Sequence, residues 1–263
     1  MSSSTQPDIQ TVQSYWNARP CNIRHSTQPI GTKEYFDEVE QRKYFIEPHI
    51  PAFAQFERWK GKKVLEVGCG IGTDTINFAR AGAFVTAVDL SDQSLALARQ
   101  RAHVCGLEKQ ISFYQANAEE LSSFVPVESY DLVYSFGVIH HTPNPSNAIA
   151  QIKRYMTRSS ELRLMLYAKN SWKNIMIEAK YDQPEAQSGC PIAFTYTADE
   201  VRNLLDGFNV PEIKQDHIFP FVVEKYIKYE YEIVPWFSSM PKDMFVALEK
   251  SLGWHMLITA RLS

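Results

Sequence analysis

The chain has 263 residues, 44% of them hydrophobic and 22% charged, which is enough apolar material for one large core beneath an ordinary charged surface. A formal net charge of −3, with Lys and Arg interleaved among Asp and Glu, argues against a nucleic-acid partner, because such proteins carry a basic face. The densest basic cluster, Lys60, Lys62 and Lys63, precedes the first predicted strand and reads as a solvated face. Cys21, Cys69, Cys105 and Cys190 are scattered without a C-x-x-C pair, so neither a zinc site nor a disulfide framework is expected, and no metal is assigned. The polar opening Met-Ser-Ser-Ser-Thr-Gln-Pro has no basic stretch leading into an apolar core, and no apolar run approaches the length of a membrane span. These features imply a cytoplasmic protein with no membrane partner.

In chain order, residues 1–55 form an N-terminal arm that carries Tyr15, Trp16, Arg19, Arg24, His25 and the run Tyr35-Phe36-Asp37-Glu38. From residue 60 to 168, strand and helix patterns alternate with short connections, which implies a parallel sheet covered by helices on both faces. Strands are expected near 63–67, 84–89, 111–115, 130–135 and 162–168, and helices near 73–82, 92–105 and 146–156. The second of these helices places Leu95, Leu97, Ala98, Ala102 and Cys105 at helical spacing, an apolar face for the sheet. Thr197-Ala-Asp-Glu200 is a capping box that opens a further helix, followed by a strand at 212–218 and an apolar stretch from Trp254 to Ala260. Two segments exceed this frame. One, about 169–195, holds Trp172, Tyr181, Gln187, Cys190 and Pro191; the other, about 219–250, is rich in tyrosine, phenylalanine and glutamate.

The first strand reads Val64-Leu-Glu66-Val and runs into Gly68-Cys69-Gly70-Ile-Gly72-Thr73. Glycines at that spacing let backbone approach a ligand at a strand's C-terminal edge, because they lack a Cβ and tolerate positive φ. A dinucleotide would lay an anionic pyrophosphate there and wants glycine at position 73, where this chain has Thr, and the Glu66 carboxylate would repel it. A cationic ligand suits that carboxylate. The second strand, Phe84 to Asp89, ends in an acid able to accept two ribose hydroxyls, while Ser91 and Asp92 supply the capping chemistry for the next helix.

On these motifs the chain resembles the class I, Rossmann-like S-adenosylmethionine (SAM)-dependent methyltransferases that act on small molecules. The resemblance covers residues 60–168 closely and 195–260 loosely. It implies an α/β fold with a seven-stranded, mostly parallel, doubly wound sheet whose antiparallel last strand inserts between the fifth and sixth. The N-terminal helical arm (1–55) then acts as a lid on a methyltransferase domain (56–263) with lid insertions at 169–195 and 219–250. It further implies SAM as cofactor, held by Glu66, Gly68, Cys69, Gly70, Gly72, Thr73, Asp89, Leu90, Asn117, Ala118, Phe136 and Tyr15. Relatives usually place an Asp where this chain has Asn117; its amide oxygen can accept one hydrogen bond, and N-capping of the helix from Ala118 is an equal alternative. Relatives also enter strand five through a Lys-Pro-Gly-Gly bend, whereas here Thr157-Arg-Ser-Ser-Glu161 is expected to be a polar, exposed turn.

His140 and His141 follow the fourth strand and are candidate general bases for an oxygen acceptor, whereas Asp131 at that strand's start reads as structural. His217, Tyr226, Tyr229, Glu232 and Trp236 are candidate acceptor contacts, with Tyr231 and Phe237 completing an aromatic lid. Tyrosines alternating with Glu224, Glu230 and Glu232 tilt the expectation towards a cationic, nitrogen acceptor; the alternative is a helix with a tyrosine core stripe and solvated glutamates. The implied function is methyl transfer to a nitrogen or oxygen of a small natural-product-type metabolite, by a monomer or homodimer. A methyltransferase acting on tRNA or protein, and a non-catalytic SAM-binding protein, are the alternatives.

Overall fold

A computed structural model describes residues 7–181 and 189–263. Gln187 lies outside the described residues. The arm holds three helices, α1 (Ile9–Ala18), α2 (Lys33–Ile46) and α3 (His49–Ala54). Asp8 and Thr32 cap the first two through side-chain oxygens. The sheet then begins with β1 (Lys63–Val67), α4 (Thr73–Arg80), β2 (Phe84–Asp89), α5 (Asp92–Val104), β3 (Ile111–Gln115), β4 (Leu132–Phe136), α6 (Pro145–Lys153) and β5 (Glu161–Ala168). There follow α7 (Trp172–Glu178), β6 (Thr195–Tyr196), α8 (Ala198–Leu204), β7 (Phe208–Asp216), α9 (Val223–Tyr226), α10 (Pro235–Ser238), α11 (Lys242–Leu252) and β8 (His255–Leu262).

The strand order is β3-β2-β1-β4-β5-β8-β7, with the last strand, β8, antiparallel between β5 and β7 as the resemblance implies. A two-residue strand, β6, adds an eighth element beside the C-terminal end of β5. The chain order reverses at β1 and β4, and the parallel strands end on one edge there, the place where open α/β sheets bind ligands. One face of the sheet is sealed by α4 and α5 through Ile76, Phe78, Ala98 and Ala102, the other by α6 and α8 through Ile149, Ile152 and Val201. The Thr197–Glu200 capping box forms as the sequence implies.

Two local expectations change. The turn before β5 is exposed only over residues 157–159, because Ser160 and Glu161 are buried. Glu161 gathers Arg58, Arg163 and Arg261 at 2.7–3.1 Å, so this end of the sheet is an ionic cluster rather than a polar loop. The tyrosine-striped helix weighed as the alternative for residues 226–236 is absent as well. Two four-residue helices, α9 and α10, stand in its place, separated by Tyr229 with φ of 65°.

The arm is part of the packed structure. Tyr35, Phe36 and Val39 of α2 bury against Ile71. Arg101, from α5, reaches out to α2 and donates to the Phe36 carbonyl (3.1 Å), to Glu40 (2.9 Å) and to the Thr73 hydroxyl (2.6 Å). No helix among the described residues is long and apolar enough to cross a membrane.

Candidate active site

The C-terminal ends of β1, β2, β4 and β5 open into a cavity of about 1320 Å³, roofed by the arm and by the segment after β7. Typical small-ligand pockets are about 300–1000 Å³. This one has room for two ligands side by side.

At one end lies the glycine turn. Gly68, Gly70 and Gly72 all have positive φ (83°, 52° and 78°) but serve different ends. A Cβ on Gly68 would lie 2.1 Å from Val138, and one on Gly72 3.1 Å from Ala98, so these two permit close packing of the chain. A Cβ on Gly70 meets no protein atom within 4 Å, and Gly70 lines the cavity. The Gly70 N–H donates to Asp89 Oδ2 at 2.7 Å and the Ser91 N–H to Oδ1 at 2.8 Å, which fixes the carboxylate at the tip of β2. Burial raises the Asp89 pKa, and the donors of Ser91, Gly70 and Leu90 pull it back. Cys69, Leu90, Asn117, Ala118 and Phe136 also line the cavity. Asn117 Oδ1 accepts from the Glu119 N–H at 3.0 Å, so the capping bond forms at a residue that faces the cavity.

Glu66 is buried in the same wall, where its Oε2 accepts from the Thr75 hydroxyl at 2.5 Å. Burial, reinforced by Asp74, pushes its pKa up to about 8. The sequence alone did not single out Asp74, the second residue of α4, yet it is the hub of the wall. It accepts from Lys43 Nζ (2.8 Å), Tyr44 Oη (2.9 Å) and Tyr134 Oη (3.0 Å). Burial lowers the Lys43 pKa, but Asp74, Glu47 and Glu66 more than offset it and hold the ammonium charged. Thr73 lines the cavity with its hydroxyl committed to Arg101; Gly72 sits behind it, packed on Ala98.

The arm presents Trp16 to the cavity, whereas its neighbour Tyr15 lies outside the lining and packs edge-on against Trp16 at 5.1 Å. Gln13 Nε2 donates to the Leu90 carbonyl at 3.0 Å, tying α1 to the end of β2.

The two histidines after β4 separate. His140 is fully buried, lies outside the cavity lining and has its ring 3.8 Å from that of Tyr167. Burial and the neighbouring His141 hold its pKa far below 6.5, so it packs as a neutral ring and is removed from the candidate bases. His141 lines the cavity beside Trp16 (ring centroids 5.3 Å). Its Nδ1 lies 2.5 Å from the Ile192 carbonyl oxygen, which makes Nδ1 the protonated nitrogen and puts the lone pair on Nε2.

At the far end, His217, Tyr226, Trp236 and Phe237 line the cavity, but Tyr229 and Glu232 do not. Glu232 is exposed and pairs with Lys225. Tyr229 donates through its hydroxyl to the Arg24 carbonyl at 2.9 Å. The aromatic lid already has its cation: the buried Arg42 guanidinium lies 4.2 Å from the Tyr226 ring centre, 4.0 Å from Tyr229 and 5.8 Å from Tyr231. Of the glutamates that tilted the expectation towards a cationic acceptor, Glu230 and Glu232 face solvent, whereas Glu224 lines the cavity, and the tyrosine rings face an internal arginine.

Residues 64–159 match the family model described as "Methyltransferase domain". Over this part of the chain the protein is similar to the methyltransferases. The matched part thus contains β1 to α6, the glycine turn, Asp89 and the two histidines, while the arm and the segments after β5 lie outside the match. The chain is similar to ubiquinone biosynthesis O-methyltransferases, being 37% identical to that of Aeromonas salmonicida over 92 residues (35% of this chain, 37% of the relative). To that of Hydrogenovibrio crunogenus it is 30% identical over 136 residues, 51% of this chain and 54% of the relative. The chain spans about half or less of the length of the curated relatives it matches. In fold it is similar to the magnesium protoporphyrin IX methyltransferase of Synechocystis solved with bound SAM (TM-score 0.61, 17% identity, all of both chains). It is similar as well to the [4+2]-cyclase SpnF (TM-score 0.61, 16% identity, 98% of this chain and 97% of that one). Two differently named enzymes on one fold leave the reaction to be argued from the site.

Proposed function

We propose that the protein is a SAM-dependent methyltransferase that transfers a methyl group to an oxygen of a small, largely apolar molecule. The observation that carries this is one cavity, large enough for two ligands, with the glycine turn and Asp89 at one end and His141 in its wall. The residues fit SAM: open space beside Gly70 admits a ligand, Asp89 is fixed to receive a ribose, and Glu66 with Asp74 gives an acidic wall for a cationic amino acid moiety. SAM supplies a methyl group on a positively charged sulfur, open to in-line displacement. His141, with Nδ1–H held by Ile192, takes the acceptor's hydroxyl proton on Nε2. Trp16, Phe136 and the arm exclude water and align the reactants, an effect of about 7 to 11 kcal/mol in well-oriented systems. The names of the curated relatives favour oxygen.

The acceptor walls after β7 lie outside the matched domain, so the ubiquinone precursors of the relatives are not carried over. The balanced charge supports a free metabolite over a nucleic acid, and a cytoplasmic monomer or homodimer is part of the same proposal. Titration calorimetry with SAM and S-adenosylhomocysteine, followed by a mass-shift screen of phenolic and enolic metabolites, tests it. Absence of SAM binding by the wild-type chain would overturn the proposal, and a purely amine set of products would overturn the oxygen assignment.

A further inference from the structure

Beside Phe136, three residues from distant parts of the chain converge on the cavity. They are Glu47 at the end of α2, His217 just past β7 and His255 at the start of β8. One potential ligand atom from each lies within 4.8 Å of the others. The antiparallel register places Asp216 opposite His255, which sets His217 beside it with imidazole centroids 4.6 Å apart.

We propose that Glu47, His217 and His255 form a divalent-metal site of the Zn²⁺ type, with two imidazoles, one carboxylate and at least one coordination position open to the cavity.

Three observations support it. First, His255 Nε2 lies 3.7 Å from Glu47 Oε1. That is too long for a hydrogen bond, but two ligands each about 2.0–2.2 Å from one ion stand about 3 to 4.4 Å apart. Second, the other side of the His255 ring is already oriented. Its Nδ1 is 3.0 Å from His49 Nε2, and His49 Nδ1 is 3.9 Å from Asp216 Oδ1. If the proton on His49 faces Asp216, His255 donates from Nδ1 and its Nε2 lone pair points at the carboxylate. Asp216 lies beyond hydrogen-bond distance of His49, so the orienting contact is the His49 imidazole, an outer partner of the kind that aims metal-binding histidines. Third, His217 takes a left-handed backbone, φ 72°, which costs a non-glycine residue about 1 kcal/mol or more and aims this ring into the cavity.

Two imidazoles and a carboxylate suit Zn²⁺, Co²⁺ or Fe²⁺ over Mg²⁺ or Ca²⁺. An ion there would take an oxygen or sulfur donor of the acceptor; this role, unlike the site itself, rests on the proposed methyl transfer.

Protein stripped with a chelator is titrated with Zn²⁺ by calorimetry and with Co²⁺ by visible absorption, without SAM. One ion per chain is expected, with the intense d–d bands of a four- or five-coordinate Co²⁺ site. Both signals should vanish in His217→Ala and His255→Ala, and fall at least tenfold in Glu47→Gln. His49→Gln, which retains all three ligands, should weaken affinity about 10- to 100-fold. Far-UV circular dichroism verifies folding, and His217→Gln replaces any alanine variant that fails to fold. No ion bound by the wild type, or undiminished binding in both His217 and His255 variants, overturns the site. A wild type that binds Zn²⁺ but not SAM keeps the site and sinks the methyltransferase proposal; SAM bound without Zn²⁺ does the reverse.

Discussion

Glu66, buried, and Asp89, half-buried, are acids facing one cavity, but they are set up differently. Backbone donors orient Asp89, and it should lose about 2 to 3 kcal/mol of SAM affinity on change to alanine, a 30- to 150-fold rise in Kd by calorimetry at unchanged Tm. Glu66 keeps its proton in the folded chain up to about pH 8, against an ordinary value of 4.5. The folded state therefore holds more protons than the unfolded one between those values, and this group's contribution to stability falls as pH rises through that window. Asp74 and Asp89 push it that way while Lys43 and the Thr75 hydroxyl resist. A cationic ligand draws the proton off, so SAM affinity should increase from pH 6 to pH 8 with net proton release, measurable by calorimetry in buffers of unequal ionisation enthalpy. Glu66→Gln should flatten that dependence, and a flat wild-type profile would count against the contact. These two acids were legible because each ends a strand beside a compact glycine motif. Asp74, Lys43, His49 and His255 were not, because their roles come from contacts between residues up to about two hundred positions apart, and no local spacing encodes that.

At the level of elements, the alternation of strands and helices pointed to the parallel sheet, since apolar periodicity records which faces are covered, while the antiparallel insertion came from the resemblance to a known family. The alternation was blind to β6, two residues long, and it left a helix open as an alternative after β7, because tyrosines spaced for a helical stripe are also spaced to surround one arginine. Two elements invite tests. Phe36 of α2 is buried against the domain, so Phe36→Ala should cost about 3 to 5 kcal/mol, a fall in Tm of about 6 to 20 °C. A small change would mean that the arm is only loosely attached. At the start of β5, Glu161 is paired with three arginines, and Glu161→Ala should cost about 3 to 5 kcal/mol in urea unfolding. Burial raises its pKa, but Arg58, Arg163 and Arg261 outweigh burial and lower it. Its stabilisation is therefore complete above the ordinary 4.5 and is lost as pH falls through the lowered value, so the variant and the wild type should converge in stability in strong acid.

For the molecule as a whole, the cavity joins a domain whose motifs were readable to walls that were not. The arm contributes Trp16, Arg19 and His25, and the late segments contribute His217, Trp236 and His255. In limited proteolysis, SAM should slow cleavage in the turn-rich stretch between α1 and α2, because α1 is tied to Leu90 beside Asp89. Equal rates with and without SAM would separate the arm from cofactor binding. The placement of these walls also has a consequence during synthesis. Glu47 leaves the ribosome long before His255, and β8 must enter between β5 and β7 before the two can meet. Until then the nascent domain has an unpaired strand edge on β5 and an open apolar mouth. The dependence on chaperones, and any folding help from the ligand, should therefore fall in the last stage of translation, after the glycine turn has already been made.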